Sequence, residues 1–247
     1  AAPALGQGAP VPGRGPVVLE LYTAQGGAAC PPADRMLAEL AGRPDVIALA
    51  LHVDYWDYIG WADVFADPEH AERQKRYARA NGLGTIYTPQ VVIGGTRIME
   101  GFRVAEIAEA IAAELAVPPE VALSLSLSPE GVLTVTGTVQ DAPPVIASRA
   151  TGLSLGAVTA LASPAPEPVH VVQLVRYLPR AEVEITEGEN AGLTAEYVNT
   201  VTEWRTVGGW DLSGELVLEL PLEGEGPVVV LLQEPGQGSI VAAARLD

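Results

Sequence analysis

Cysteine is nearly absent from this chain, which has one, Cys30, in 247 residues. A single cysteine excludes an internal disulfide, so cysteine content alone does not assign the protein to an oxidising or a reducing compartment. Long apolar runs are absent too, since none approaches the ~18 to 20 residues that a membrane-spanning helix needs. The sequence therefore predicts a protein that does not insert into a membrane.

Basic residues are scarce, with 14 lysines and arginines against 31 aspartates and glutamates and a formal net charge of -17. Phosphate groups bind to basic surfaces, so this charge argues against nucleic acid and anionic membranes as partners. No long acidic run occurs, which indicates acidic side chains dispersed over the surface. The hydrophobic fraction of 48% excludes a disordered chain.

Several well-defined motifs are also missing. The sequence has no P-loop, no G-x-G-x-x-G, no G-x-S-x-G and no H-E-x-x-H. These absences remove the motif-based reasons to expect a nucleotide cofactor, a serine hydrolase or a zinc protease. We predict no cofactor.

The sequence does contain a well-defined setting for its one thiol. An apolar strand at residues 17–22 leads into a glycine turn, Cys30, two prolines and an amphipathic helix at 32–41. Helix N-termini stabilise thiolates, and thiol–disulfide enzymes place a Cys-x-x-Cys motif in this position. Here the first position of that motif is Gly27 and the second is Cys30, so half of the dithiol is missing.

The order of predicted elements divides the chain into an α/β part and a β part. Residues 17–117 read β-α-β-α-β-β-α, the thioredoxin order, and predict a thioredoxin-like domain. Residues 118–247 show alternating strands without a convincing helix and predict an all-β, sandwich-like domain. We expect residues 1–16 to be a flexible segment, which could be a mature end left by signal-peptide cleavage, and residues 140–168 to be a long loop or insertion.

Functional side chains are densest just after the second predicted strand, in His52, Asp54, Tyr55, Trp56 and Trp61. The carboxyl end of that strand should face the same side as Cys30, where α/β folds bind ligands. The aromatic rings could line a substrate cleft, with His52 or Asp54 as acid/base, or they could form a plug over the core. A metal site with Asp57 and Asp63 is conceivable, but the spacing matches no metal motif, and we predict none.

Five segments of the sequence resemble the secreted thioredoxin-like family DUF1223: residues 21–37, 48–66, 73–93, 175–201 and 208–212. The resemblance covers nearly all of the chain except the first fifteen residues and the stretch around 140–168. It implies a thioredoxin-like fold, export to the periplasm or beyond, and a cis bond between Thr88 and Pro89. Backbone beside that proline pairs with extended peptide substrates in such folds. Family members usually carry Cys-Ser-Ser-Cys where this chain has Gly27-Ala28-Ala29-Cys30.

Two functions remain open from the sequence. The first is an exported protein of thiol–disulfide oxidoreductase lineage, with one cysteine and no dithiol activity, whose partner would be a protein thiol or disulfide. The second is a non-catalytic module that binds an extended peptide or ligand in the inherited cleft. Cys30 could be a reactive thiol with a lowered pKa or a buried, inert one. The segment Gly188–Gly192 predicts a turn with positive φ or a polar patch that faces the cleft.

Overall fold

The computed structural model describes residues 15–140, 169–224 and 226–247. The predicted long loop at 140–168 and all but the last two residues of the predicted N-terminal segment lie outside these ranges. The helices are α1 (Pro31–Ala41), α2 (Pro68–Ala80) and α3 (Val104–Leu115). The strands are β1 (Val17–Thr23), β2 (Val46–His52), β3 (Gln90–Ile93), β4 (Arg97–Glu100), β5 (Val121–Leu127), β6 (Val132–Val139), β7 (His170–Ile185), β8 (Leu193–Trp210), β9 (Leu216–Pro221), β10 (Val228–Gln233) and β11 (Ile240–Leu246).

The elements from β1 to α3 follow the predicted order, because their signals are local. Helix α1 begins at Pro31. Proline lacks a backbone N–H, and at the first position of a helix that group would have no intrahelical partner in any case. Helix α2 begins after Asp67, whose side chain accepts a hydrogen bond from the backbone N–H of Glu69 at 2.8 Å. Strand β2 is buried along its whole length, as its continuous apolar run predicts.

One eight-stranded sheet unites both halves of the chain in the order β11-β10-β7-β8-β2-β1-β3-β4. The junction is a short parallel pairing of Ala50 in β2 with Thr200 in β8. Strands from both sides of the predicted boundary at residue 118 therefore belong to the same sheet. The architecture is mixed α/β with a large sheet and a mostly β second part.

The β7–β8 hairpin is the longest feature of the second half. Strand β7 is continuous, since Pro179 lies inside it without ending it. Pro179 and Asn199 lie opposite each other in the register, and Asn199 has φ +48°. The Asn199 side chain donates to the backbone carbonyl of Ala48 in β2 at 2.9 Å, which fastens the hairpin to the first half.

The described residues form three buried clusters. Two lie on opposite faces of the large sheet, around Leu49 and Tyr77 on one face and around Leu19 and Leu37 on the other. The third fills the space between the three-stranded sheet β5-β6-β9 and the large sheet, around Val135 and Val230. Two sheets packed face to face in this way give the second half its sandwich-like character.

Within the described ranges, no helix is long and apolar enough to cross a membrane.

Candidate functional site

Residues 25–30 form a turn between β1 and α1, here called the motif turn. Cys30 is the last residue of this turn and occupies the N-cap position of α1. Its backbone N–H donates to the carbonyl of Gly27 at 3.0 Å, and its own carbonyl accepts from Asp34 at 3.1 Å. Ala28 and Ala29 are exposed at the tip of the turn, whereas Cys30 has a relative exposure of 1%. The thiol therefore lies beneath the turn, at the carboxyl end of β1.

Burial raises the pKa of the Cys30 thiol, and the carboxylate of Asp34 raises it further. Hydrogen bonds from the side chains of Thr88 and Thr23 and from the backbone of Ala24 act in the opposite direction without reversing the shift. Of the two possibilities that the sequence left open, a reactive thiol with a lowered pKa and a buried, inert one, the direction of this shift favours the second. Desolvation is the largest cause of the shift, because the charged thiolate is disfavoured where water has no access.

Gly27 lies directly beside the sulfur of Cys30. A β-carbon at Gly27 would be 2.7 Å from Cys30 Sγ and 3.6 Å from Thr88 Oγ1. The φ of Gly27 is not positive, so the backbone there suits a residue with a side chain. The first motif position thus faces both the remaining thiol and the residue before Pro89.

A buried polar cluster lies beside the thiol. Thr23 Oγ1 donates to Asp34 Oδ1 at 2.7 Å, and His52 Nδ1 lies 2.7 Å from Asp63 Oδ2. Thr23 and His52 are paired in the β1–β2 register, so their side chains point to the same face. His52 is fully buried, and its Nε2 has no hydrogen-bond partner among the described residues. The ends of β1 and β2, helix α1 and the segment after β2 thus bring together four polar groups that are far apart in sequence.

The electrostatics of this cluster are dominated by burial. Desolvation raises the pKa of Asp34 to about 6, although His52 and the Thr23 hydroxyl favour its charged form. Desolvation also raises the pKa of Tyr197 in β8, and the carboxylates of Asp34 and Asp63 add to that shift. The Tyr197 ring lies 4.8 Å from His52, centroid to centroid, in an edge-to-face contact.

Residues 53–66, here called the aromatic loop, lie against the motif turn. Trp56 Nε1 donates to Thr88 Oγ1 at 2.7 Å, and a β-carbon at Gly26 would lie 3.3 Å from the Ile59 side chain. Trp56 also stacks on Tyr58 at 6.2 Å between centroids, and Tyr58 is 79% exposed. These contacts make the loop a cover next to Cys30 with an exposed aromatic ring at its surface.

Gln25 joins the aromatic loop to the motif turn. Its backbone N–H donates to Asp63 Oδ2 at 2.7 Å, and its side-chain Oε1 accepts from Trp61 Nε1 at 2.8 Å. Trp61 was a predicted site residue, whereas Asp63 was predicted only as a conceivable metal ligand. In the structure the Asp63 carboxylate is occupied by His52 and by backbone N–H groups, including that of Phe65 at 2.9 Å.

Asn190 lies in the segment that the sequence predicted to be a turn or a polar patch facing the cleft, but it was not named as a site residue. It lies in residues 186–192, here called the hairpin tip, between β7 and β8. Its buried amide donates to the backbone carbonyls of Gln25 at 2.7 Å and Gly27 at 3.0 Å. Gly188 and Gly192 have positive φ, as the predicted turn requires. The glycine pattern predicted the turn, with a polar patch facing the cleft as the alternative, but it did not identify Asn190 as the side chain that contacts the motif turn.

Three other predicted site residues, Pro89, Tyr55 and Asp54, lie in different surroundings. Pro89 is buried and follows a cis peptide bond from Thr88, and a β-carbon at Gly101 would lie 2.8 Å from it. Tyr55 is turned toward α2, where its hydroxyl donates to Gln74 Oε1 at 3.1 Å. Asp54 is half-buried, and its backbone carbonyl accepts from the N–H of Asp57.

The buried acid/base groups beside Cys30 are Asp34 and His52, rather than Asp54. The spacing of Cys30 and Asp34, four residues apart at the start of a helix, was the signal for this pair. In residues 15–140, 169–224 and 226–247, no group of three or more histidine, cysteine, aspartate or glutamate side chains could hold a metal ion.

Comparison with known proteins gives a family and a fold. A family model described as "Protein of unknown function (DUF1223)" matches residues 18–153 and 144–233. Protein AGR_C_4864 from Agrobacterium tumefaciens is 27% identical with a TM-score of 0.73, and the match covers 94% of each chain. HBP35 of Porphyromonas gingivalis is 15% identical with a TM-score of 0.57 over 94% of this chain and 75% of that one, a likeness of fold alone. No curated protein matches the chain.

Proposed function

This chain belongs to the DUF1223 family, whose function is unknown, and we propose that it is an exported thioredoxin-like protein of thiol–disulfide oxidoreductase lineage that has lost dithiol activity. The observation that carries the proposal is the position of Gly27. Its missing β-carbon would lie 2.7 Å from the Cys30 sulfur, which places the first motif position within reach of a bond to this thiol.

The surroundings of the thiol support a thioredoxin-like first half. The elements from β1 to α3 have the thioredoxin order, and Cys30 lies at the N-terminus of the first helix. Thr88 and Pro89 lie beside the motif turn, since the Thr88 hydroxyl hydrogen-bonds the thiol. The burial of Cys30 also fits the second cysteine of a Cys-x-x-Cys motif, which is usually the more buried one. Export is supported by the resemblance to secreted proteins.

Loss of dithiol activity follows from the chemistry of exchange. In a dithiol enzyme, the first thiolate attacks a substrate disulfide, and one substrate sulfur leaves as a thiolate. The second thiolate then attacks the mixed disulfide, which releases the other substrate sulfur and leaves the enzyme oxidised by two electrons. With Cys30 as its one sulfhydryl, this chain has no internal group for the second step.

The test is a disulfide-reduction assay with insulin and a regenerating reductant. We expect the natural chain to show no turnover and the Gly27→Cys variant to gain it, with Gly27→Ser as a control of similar size. Adding Cys30→Ser to the Gly27→Cys variant should abolish the gain. Turnover by the natural chain at a rate comparable to a thioredoxin would refute the proposal.

A second candidate is a non-catalytic module that binds an extended peptide or small ligand. The observation that favours it is the burial of Cys30, at 1% exposure and with a raised pKa, beside exposed groups such as Tyr58 and Ala28. A Gly27→Cys variant that forms its disulfide and still fails to reduce insulin would favour this candidate over the first.

A further inference from the structure

The motif turn is held from two sides by segments that are distant in sequence. The aromatic loop reaches Gln25 through the Asp63 carboxylate at 2.7 Å and the Trp61 indole at 2.8 Å. The hairpin tip reaches the carbonyls of Gln25 and Gly27 through the single amide of Asn190. Neither segment contains Cys30, yet both fix the backbone that covers it.

The two segments also contact each other. A β-carbon at Gly188 in the hairpin tip would lie 3.1 Å from Trp61 Cβ, and one at Gly60 would lie 3.8 Å from the Gly188 backbone. Gly188 has φ +76°, a conformation that glycine adopts without strain, so the tip can follow the aromatic loop closely. The motif turn, the aromatic loop and the hairpin tip therefore form one interlocked unit.

The hydrogen bonds between the hairpin tip and the motif turn depend on one side chain, that of Asn190. Its buried amide satisfies two backbone carbonyls of the motif turn, and both would lose that partner together. Its neighbours Glu189 and Ala191 are exposed, so the hairpin tip can move outward without uncovering a hydrophobic core. The hairpin tip is thus held by one buried polar side chain between exposed residues, so it can open locally while the rest of the protein stays folded.

We propose that the hairpin tip and the aromatic loop form a clamp that closes the motif turn over Cys30, and that Asn190 is the positioning residue that keeps it closed. Release of the Asn190 amide frees the carbonyls at residues 25 and 27, lets water reach the turn and opens a path to the thiol. The clamp controls access to the site from the second half of the chain. This inference depends on the burial of Cys30 and goes beyond any redox role, so it holds whether or not the thiol exchanges with disulfides.

The test measures the rate at which the full-length native protein reacts with 5,5′-dithiobis(2-nitrobenzoic acid), which has Cys30 as its only target. We expect Asn190→Ala to react about tenfold faster than the natural chain, a factor that corresponds to about 1.4 kcal/mol in the opening equilibrium. In denaturant the two proteins should react at the same rate. Asn199→Gly is the matched control. It removes a different hydrogen bond from an asparagine side chain to a backbone carbonyl, the one from Asn199 in β8 to Ala48, and glycine adopts φ +48° without strain. The control should react at the natural rate.

Two results would overturn the clamp: an unchanged rate in Asn190→Ala, or an equal acceleration in Asn199→Gly, which would indicate general loosening of the hairpin. If Asn190→Ala fails to fold, Trp61→Phe decides the question from the other side, since it removes the indole N–H to Gln25 and keeps an aromatic ring. Faster labelling of Trp61→Phe supports the clamp, and an unchanged rate refutes it. These outcomes are independent of the insulin assay, so the clamp and the proposed function can fail separately.

Discussion

The sulfur of Cys30 lies 2.7 Å from the point that a β-carbon at Gly27 would occupy. Two non-bonded atoms do not approach so closely, whereas a disulfide with an S–S bond of ~2.05 Å places each β-carbon about 3 Å from the opposite sulfur. The same position is therefore closed to an ordinary side chain and nearly right for a bonded pair. The absence of a side chain at Gly27 and the orientation of the Cys30 thiol are coupled.

The first prediction is that Gly27→Ala destabilises the protein through the Cys30 sulfur. The new methyl group should overpack the site and cost about 1–2 kcal/mol in free energy of unfolding. In a Cys30→Ala background the cost should fall by about 1 kcal/mol, because the crowding atom is gone. Urea unfolding of the natural chain, both single variants and the double variant measures this coupling. An equal cost in both backgrounds would contradict it.

The second prediction is that Gly27→Cys forms an internal disulfide with Cys30. The two positions flank a turn closed by the hydrogen bond from the Cys30 N–H to the Gly27 carbonyl at 3.0 Å, and φ at Gly27 accepts a β-carbon. After air oxidation, thiol counting under denaturing conditions should find no free thiol in Gly27→Cys and one in the Gly27→Ser control. Two free thiols in the oxidised variant would count against the assignment of Cys30 to the second position of the motif.

The third prediction concerns Asp34 and pH. Its folded-state pKa of about 6 lies above the ordinary 3.8, so the folded protein binds this proton more tightly than the unfolded chain does. The contribution of this group to stability is therefore fully present below about pH 4 and is lost as pH rises through 6. At pH 7 and above, the buried carboxylate destabilises the fold by up to about 3 kcal/mol.

Asp34→Asn removes this charge and keeps an oxygen that can accept from Thr23. We expect the variant to be more stable than the natural chain at pH 7.5, with the advantage disappearing near pH 4.5. Urea unfolding at the two pH values gives the difference directly, and comparison with the natural chain cancels the titration of the other acidic groups. A difference in stability that does not change with pH would show that the carboxylate is not strained by burial.

The sequence predicted the first half of the fold well because its signals are local. Hydrophobic periodicity, the prolines at 31 and 32 and the glycine turn at 94 and 95 place β1 to α3 in order. The pairing of Ala50 with Thr200 could not be predicted. The hydrophobic pattern of a strand indicates which of its faces is buried, but it does not indicate which distant strand it pairs with. For the same reason, the chain gave no sign that one sheet would cross residue 118.

For the candidate site, too, the sequence predicted what depends on local signals and not what depends on contacts between distant segments. Gly27, Cys30 and the aromatic loop were predicted to lie on one face, since strand ends meet at one edge of a sheet. The sequence left the state of Cys30 open, because the direction of its pKa shift depends mainly on how deeply the fold buries the thiol. Asn190 is more than 160 residues from Gln25, and its contact depends on how the β7–β8 hairpin docks. Local patterns thus located the site, whereas tertiary packing set its chemistry.

The last prediction concerns the buried pair Glu20 and Arg73, which joins β1 to α2. The guanidinium donates to both carboxylate oxygens at 2.8 Å and lies 3.7 Å from the centre of the Trp204 ring. Tyr22 and Tyr77 also donate to Glu20, so the carboxylate is paired and hydrogen-bonded. Since both charges are buried, removing either leaves the other without its counter-charge in a site that water does not reach.

We therefore expect Glu20→Gln and Arg73→Met each to lower the free energy of unfolding by about 3–5 kcal/mol, and the double variant to lose less than the sum. Lys75→Ala is the control on the same helix. It breaks the exposed pair with Glu72 and should cost less than about 1 kcal/mol. Urea unfolding of the four variants measures the coupling energy. If the double variant loses the full sum, the two charges act independently, and the structural link between β1 and α2 must come from the apolar packing around Tyr77 instead.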